Sequence, residues 1–178
     1  MFRNKRKNTW GSYCGLFLGC CMAILISGCR DTVGYHVYQP TAENGIWERT
    51  DTLNYSVPAM LPAGKYEVAV SVRHTDVYPY KDLWLWIEHD MDKSTGYVGD
   101  TLHVQLADDK GRWYEGNSTG SLFTCTQKLP YTLYLPVDSM TGNFRIHHLM
   151  RTKLLSGITD VGIELRFSGG VQPKKNKK

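Results

Sequence analysis

Apolar and polar residues alternate along much of the chain, and this pattern predicts β-strands. It is clearest in "YEVAVSVR" (residues 66–73) and in "VGIELRF" (residues 161–167), where every second residue is large and apolar. Successive side chains of a strand point to opposite sides, so such a segment buries one face. Similar segments lie at residues 102–106, 131–135 and 144–148, and turn sequences lie at 62–65, 108–111 and 140–143. We therefore predict an all-β fold, an antiparallel β-sandwich with a jelly-roll-like arrangement.

The segment "DLWLWIE" (residues 82–88) adds two tryptophans to this alternation. Its aliphatic residues are predicted on one face of a strand, with Trp84 and Trp86 on the other. Two interpretations of the tryptophan face stay open. Loop aromatic residues such as Tyr78 and Tyr80 cover it, or it is an exposed platform that contacts a partner.

The first 28 residues have the layout of a bacterial lipoprotein signal peptide. Residues 3–7 are rich in basic side chains, residues 13–27 are mostly apolar or small, and the sequence "LISGC" ends at Cys29. The apolar stretch is too short for a convincing membrane-spanning helix. The ending resembles a lipobox, which predicts cleavage before Cys29 and attachment of lipid to its thiol. An ordinary secretory signal with a chance cysteine is the alternative.

These features predict the organisation of the chain. Residues 1–28 are the signal peptide, residues 29–47 a lipidated lead, residues 48–170 a single β-sandwich domain, and residues 171–178 a basic disordered tail. Multiple acyl chains on Cys29 would give stable attachment to a membrane. Position 30 is arginine instead of the aspartate that some bacteria use for inner-membrane retention, which favours the outer membrane with the domain facing the periplasm.

Removal of the signal peptide changes the charge and the cysteine content. The chain has 21 basic and 17 acidic residues, but four of the bases lie in the signal peptide and four lysines lie in the tail. The domain itself is slightly acidic, which argues against binding to nucleic acid. After lipidation of Cys29, Cys125 is the remaining cysteine, so no disulfide is expected within the domain. We expect Cys125 to be a small core residue.

Several motifs suggest chemistry that their context does not support. "GNSTG" (residues 116–120) matches a nucleophile elbow, but no helix is predicted after it. Residues 90–101 begin like an EF-hand loop but lack the required glycine and the final glutamate, which leaves only a weak calcium-binding loop as an alternative. The six histidines have no zinc-site spacing, and the adjacent pair His147 and His148 point to opposite faces. We predict no catalytic residue, no metal and no cofactor.

Three longer blocks resemble the gliding-motility lipoprotein H (GldH) family. They are "YPYKDLWLW" (residues 78–86, preceded by Arg73), "DTLHVQLADDKGRW" (residues 100–113) and "MRTKLLSGITDVGIEL" (residues 150–165). The resemblance implies an outer-membrane lipoprotein with a structural or accessory role in the gliding and type IX secretion apparatus, and it implies no catalytic residues. The residues that match the family pattern are Arg73, Tyr78, Pro79, Tyr80, Leu83, Trp84, Leu85, Asp100, Gly111, Trp113, Met150, Arg151, Gly157, Asp160 and Gly162.

Two functions remain open from the sequence. The domain is an interaction module that docks on motility or secretion proteins of the envelope, or it is a carbohydrate-binding lipoprotein whose tryptophans stack on sugar rings. In the second case Arg151 or Asp76 would bind sugar hydroxyls. The candidate contact residues for a protein or a glycan are Tyr78, Tyr80, Trp84, Trp86, Trp113 and Arg151.

A short motif of aspartate, hydroxyl residue and apolar residue recurs in the chain. It begins at Asp31, Asp51, Asp100 and Asp138, and it resembles an O-glycosylation sequon of bacteria that carry this family. We predict glycosylation at Thr32 and Thr52. The alternative is that aspartate and threonine commonly begin strands.

Overall fold

The computed structural model describes residues 33–42, 45–91, 95–114, 120–136 and 141–170, and these residues form strands, turns and loops without a helix. Ten strands follow in chain order: β1 (Val33–Pro40), β2 (Ile46–Glu48), β3 (Leu53–Val57), β4 (Gly64–Thr75), β5 (Asp82–His89), β6 (Val98–Gln105), β7 (Leu122–Leu135), β8 (Gly142–His148), β9 (Leu154–Ser156) and β10 (Ile158–Gly170). The predicted signal peptide, Cys29, Thr32, the lysine tail and most of "GNSTG" lie outside the described residues.

The strands form two four-stranded sheets and one short ladder. The first sheet has the order β1-β10-β4-β7, the second has the order β3-β8-β5-β6, and β2 pairs with β9. Every pairing is antiparallel. The predicted antiparallel β-sandwich is confirmed.

The core lies between the inner faces of the two sheets. Each sheet contributes rows of side chains with 0% exposure: Val68, Val70, Val72, Val161, Ile163 and Leu165 from the first sheet, and Leu83, Leu85, Ile87, Phe144 and Ile146 from the second. These are the positions that the alternating pattern assigns to the interior. Full burial of one such side chain contributes roughly 2 kcal/mol from the hydrophobic effect, so the rows determine which face of each strand points inward.

The domain begins earlier than the sequence predicts. Residues 29–47 were predicted as a lead outside the sandwich, but β1 (Val33–Pro40) pairs with β10 along its length. Trp47 is fully buried, and its Nε1 donates a hydrogen bond to the carbonyl oxygen of Asp51 at 3.2 Å. The predicted boundary at residue 48 is therefore wrong. As an edge strand, β1 is held by a partner far away in the chain and lacks strict alternation, so local pattern does not reveal it.

The strand directions define two ends of the sandwich. We call one end the entry end: β1 begins there, β10 finishes there, and residues 58–63 connect β3 to β4 there. Two backbone pairs place these strand ends together, Val33 with Arg166 and Gly170 with Gly64. At the far end lie the connections formed by residues 76–81, 106–114 and 149–153.

Three histidines are buried in the sandwich with one ring nitrogen each lacking a hydrogen-bond partner among the described residues. These atoms are Nε2 of His74 and Nδ1 of both His89 and His148. Burial lowers the pKa of all three imidazoles, because the charged form loses its hydration. The folded protein therefore favours the neutral form of these histidines more than the unfolded chain does.

We predict that mild acid destabilises the fold. Below the ordinary histidine pKa of about 6.5, the unfolded chain takes up protons more readily than the folded chain does. The contribution of the neutral histidines to folding stability is therefore complete above that pH, and it is lost as the pH falls through it. Between about pH 7.5 and about pH 5.5, the free energy of unfolding should fall, and each buried histidine should contribute to the loss. Urea unfolding at both pH values measures this change.

The test variant is His74→Phe, since His74 is buried and its imidazole cannot be protonated without loss of that burial. His74→Phe should reduce the pH dependence of the free energy of unfolding, because one of the three buried imidazoles is gone. An unaltered pH dependence in His74→Phe would contradict the assignment.

Candidate functional site

Strand β5 has a buried face and a partly exposed face. Its aliphatic residues on the inner face are fully buried, whereas Trp84 on the outer face is 41% exposed and Trp86 is partly buried. A shift of one residue in the register would place the tryptophans in the core and the aliphatic residues outside, so the core fixes the orientation of both rings.

One face of the Trp84 ring is covered by a neighbouring strand. Trp84 lies opposite His103 of β6, and the two rings stack with centroids 4.3 Å apart and planes inclined by 20°. His103 Nε2 lies 3.1 Å from Asp82 Oδ2, which orients the imidazole. This pair is exposed and contributes little to stability. Its effect is to hold the Trp84 ring in position.

Trp86 lies over a glycine of the neighbouring strand. A Cβ added at Gly99 would come within 2.4 Å of the Trp86 ring, so this ring position requires a residue without a side chain. Trp86 Nε1 donates a hydrogen bond to Glu88 Oε2 at 3.4 Å, and Glu88 also pairs with Arg145 at 3.5 Å. Arg145 in turn lies over the ring of Tyr97. The outer face of the second sheet thus combines aromatic rings with charged groups.

Tyr78 supports the far end from inside. It is only 2% exposed, and its hydroxyl donates a hydrogen bond to the carbonyl oxygen of Asp82 at 2.8 Å. Burial raises the pKa of Tyr78, and the nearby Asp82 acts in the same direction. Its backbone packs against Gly157, where an added Cβ would lie 2.5 Å from the Tyr78 nitrogen. The prediction that Tyr78 contacts a partner is therefore wrong for this structure, because the loop folds its ring into the core.

The other candidate residues differ in exposure. Tyr80 is 40% exposed and packs its ring edge against Tyr78 at a centroid distance of 5.7 Å. Trp113 is partly buried against His74, with centroids 4.7 Å apart. Arg151 is exposed. The structure therefore leaves Tyr80, Trp84 and Arg151 accessible at or near the far end.

Three apolar residues that the sequence did not single out lie in the same region. Val77 is 67% exposed, Tyr114 43% and Leu149 42%. Together with Tyr80 and Trp84 they form a group that we call the far-end patch. Local sequence does not distinguish these residues from core residues, because their exposure depends on how the loops fold.

Backbone hydrogen bonds connect the loops that carry the far-end patch. The amide of Leu149 donates to the carbonyl oxygen of Trp84 at 2.8 Å. The amide of Leu106 donates to the carbonyl oxygen of Lys81, the residue after Tyr80, at 2.8 Å. The amide of Tyr114 donates to the carbonyl oxygen of Leu106 at 2.9 Å. These bonds hold the loops in fixed positions on the β5 end of the second sheet.

The described residues contain no cluster of three side chains suited to a metal ion. In the segment that resembles an EF-hand, the carboxylate of Asp90 accepts hydrogen bonds from the backbone and side-chain nitrogens of Asn143. Cys125 is buried, and burial raises the pKa of its thiol, which disfavours the nucleophilic thiolate. Thr52 is exposed between β2 and β3.

A family model for the GldH lipoproteins matches residues 33–165, which is more than half of the chain and includes nine complete strands. The chain belongs to the GldH lipoprotein family. The match includes the three blocks from which the sequence resemblance was drawn, so that resemblance is confirmed.

A curated relative agrees with this assignment. The chain is 24% identical over 154 residues to the gliding motility lipoprotein GldH of Flavobacterium johnsoniae, and the alignment covers 80% of this chain and 90% of the relative. Membership in this family of gliding-motility lipoproteins indicates a membrane-anchored location in the cell envelope. Within the described residues, no helix is long and apolar enough to cross a membrane.

Two solved structures have weak similarity to the chain. The Eiger TNF structure from S. frugiperda has a TM-score of 0.37 at 7% identity, with 80% of this chain and 98% of that chain covered. The structure of TmCBM61 in complex with beta-1,4-galactotriose has a TM-score of 0.33 at 10% identity, with coverages of 78% and 91%. At these scores neither structure indicates a function for this chain.

We predict that Gly157→Ala destabilises the domain more than Gly111→Ala. Both glycines have a positive φ, +87° and +77°, so both substitutions introduce backbone strain, but only Gly157 lies against another segment. Gly111→Ala should cost about 1 kcal/mol, and Gly157→Ala roughly 2 kcal/mol more, because the new methyl group displaces the Tyr78 loop. Urea unfolding monitored by near-ultraviolet circular dichroism tests this difference. Equal losses of stability would show that the close contact is unimportant.

Proposed function

We propose that this protein is an outer-membrane-anchored, non-enzymatic accessory component of the gliding and type IX secretion apparatus, and that it docks on another envelope protein through the far-end patch. The observation that carries the proposal is the grouping of Val77, Tyr80, Trp84, Tyr114 and Leu149 as exposed side chains at one end of the sandwich. Grouped apolar side chains at a protein surface are typical of interaction sites.

The surroundings of the patch support a protein partner. Lys81 and the exposed Asp109 form an ion pair at 3.0 Å, and the exposed Arg112 pairs with the partly buried Asp108 at 2.7 Å; both pairs lie close to the patch. A centre of aromatic and aliphatic side chains with a polar rim is the usual composition of a protein interface. Tyrosine and tryptophan are also enriched among the residues that contribute most to binding.

The position of the patch fits attachment through Cys29. The chain enters the sandwich at Val33, and the patch lies at the far end of the strands. A lipid on Cys29 would hold the entry end at the membrane and direct the patch toward other proteins of the envelope.

We predict that Tyr80→Ala/Trp84→Ala weakens partner binding. Truncation of two central aromatic residues should cost about 2 kcal/mol or more, which lowers affinity roughly 30-fold. The measurement is gentle crosslinking in native cells, affinity capture and mass spectrometry, with gliding or secretion proteins recovered by the wild type and lost in the variant.

Tyr134→Ala is the matched control, because Tyr134 is a 52% exposed tyrosine that pairs with Lys65 at the entry end. It should recover the partner as the wild type does. Equal recovery with all three proteins would contradict docking through the far-end patch. Circular dichroism of each variant establishes that the fold is retained.

Carbohydrate binding is the second candidate, and it is supported by one observation. One face of Trp84 is covered by His103, so the opposite face can stack on a sugar ring, with Asp82 nearby as a hydrogen-bonding group. Capture of glycan-uptake proteins in the crosslinking experiment would favour this candidate.

Thr32 and Thr52 are proposed as O-glycosylation sites. Thr52 is exposed and lies outside the strands, as a modified residue requires, whereas the similar motif at Asp100 and Thr101 lies within β6. The intact mass of native protein should exceed the mass of polypeptide plus lipid, and Thr32→Ala/Thr52→Ala should remove the excess. A native mass equal to polypeptide plus lipid would exclude the modification.

A further inference from the structure

Three polar side chains occupy strand positions that alternate with outward-facing residues and therefore point toward the interior. They are His89 of β5, Asp100 of β6 and Tyr131 of β7, and each shares its face with buried aliphatic residues of the same strand. Asp100 also lies opposite Ile87, whose side chain is fully buried in the core. Polar groups at such positions normally have a hydrogen-bonding or charged partner.

The three residues line one cleft between β6 and β7, which are edge strands of the two sheets. The cleft has a volume of about 360 Å³, which is within the range of sites for small ligands. The buried residues His89 and Leu133 form its floor, and Tyr131 is partly buried with its ring centroid 6.2 Å from that of His89. The exposed residues Val98, Asp100 and Thr132 form its rim.

The opposite side of the sandwich is closed by side chains. There the Tyr35 hydroxyl of β1 donates a hydrogen bond to the carbonyl oxygen of Ser56 in β3 at 3.2 Å, and the Gln39 side chain donates to the carbonyl oxygen of Asn54. Among the described residues, no side-chain hydrogen bond connects β6 to β7 in this way. The cleft is therefore a local opening between the two sheets.

Hydrogen-bonding capacity in the cleft is left unused. His89 Nδ1 is buried and has no hydrogen-bond partner among the described residues, although His89 is only 9% exposed. Asp100 Oδ1 accepts a hydrogen bond from the amide of Thr101 at 2.7 Å, and in the described part of the chain Oδ2 accepts none. Burial raises the pKa of Tyr131 to about 12, and the nearby charge of Asp100 acts in the same direction.

The charge of the cleft favours a cation. The described residues that line it include the carboxylate of Asp100 and no lysine or arginine, and Lys128 of β7 is paired with Glu67 at 2.6 Å. Burial lowers the pKa of His89, which favours a neutral imidazole that can accept a hydrogen bond. A carboxylate, a phenol oxygen and an imidazole nitrogen together suit a charged donor.

We propose that the cleft between β6 and β7 binds an ammonium group carried on an aliphatic stem. The ammonium group donates to Asp100 Oδ2 and to the oxygen of Tyr131, and the stem packs on Val98 and Leu133. Such a group belongs either to a lysine side chain of another polypeptide or to a free diamine. The site is distinct from the far-end patch, because His89 and Asp82 are at opposite ends of β5.

The first experiment compares three small probes that differ only in their polar group. The complete lipidated protein in a nonionic detergent, labelled with ¹³Cε1-histidine, is titrated with n-butylammonium, n-butanol and butyrate at constant ionic strength. The His89 resonance should shift saturably with n-butylammonium, which should bind roughly tenfold more tightly than n-butanol. Equal affinities for the three probes, or no saturable shift, would overturn the proposal and leave Asp100 as a charge that only prevents pairing of the β6 edge.

The second experiment removes the charge of the cleft. Asp100→Asn keeps an oxygen for the Thr101 amide but should lower the affinity for n-butylammonium roughly tenfold. Asp76→Asn is the matched control, since Asp76 is an exposed aspartate at the far end, and it should leave the affinity unchanged. The same affinity in both variants would contradict the role of Asp100.

The source of the ammonium group is distinguished with two further probes. N-acetyl-lysine methylamide represents a lysine side chain in a polypeptide, and 1,5-diaminopentane represents a free diamine. Binding of either supports the site, and the tighter probe identifies the source. Failure of both to shift the His89 resonance would overturn the proposal.

The titrations are independent of docking at the far-end patch. They contain only purified protein and a small probe, so the absence of a protein partner cannot change their result. Asp100→Asn retains the far-end patch and should recover the partner in native cells as the wild type does. Failure of one proposal is therefore distinguishable from failure of the other.

Discussion

The contact between the inner faces of the two sheets is the interaction on which the rest of the structure depends. Val68, Val70 and Val72 of β4 belong to the same buried core as Leu83, Leu85 and Ile87 of β5, and all six side chains have 0% exposure. Because successive residues alternate between faces, burial of these positions forces the intervening ones outward. The exposure of Trp84 is thus a direct consequence of core packing, and the outer face cannot rearrange without loss of the core.

Loops at the two ends of the sandwich share one arrangement. At the far end, Gly157 and the buried Tyr78 create a fixed support on which Tyr80 and the other exposed apolar residues are displayed. At the entry end, the loop around Met60 is anchored by Leu61. Each end therefore combines a buried anchor with an exposed apolar group, and rigid presentation lowers the entropy lost on binding.

The sequence predicted the strands whose alternation is strong, and through them the sandwich and the outward direction of Trp84. It did not predict β1, because that strand depends on pairing with β10, more than a hundred residues later. It also left open whether Tyr78 covers other aromatic residues or contacts a partner, because the position of a loop ring depends on distant neighbours such as Gly157. Burial of His74, between Trp113 and Phe123, likewise depends on contacts between segments. Local patterns determine strand faces, whereas tertiary contacts determine which loop residues are exposed.

The strand order of the first sheet has a consequence for the time at which the domain can form. β10 lies between β1 and β4, so the last strand of the described residues occupies a central position in the sheet. Until β10 is available, β1 has no partner in this sheet and one edge of β4 is open. Such long-range pairing slows folding and leaves unpaired edges exposed to aggregation. An acyl chain attached to Cys29 before that moment would tether an unfolded polypeptide, which would complete its sandwich only after the whole domain had crossed the membrane.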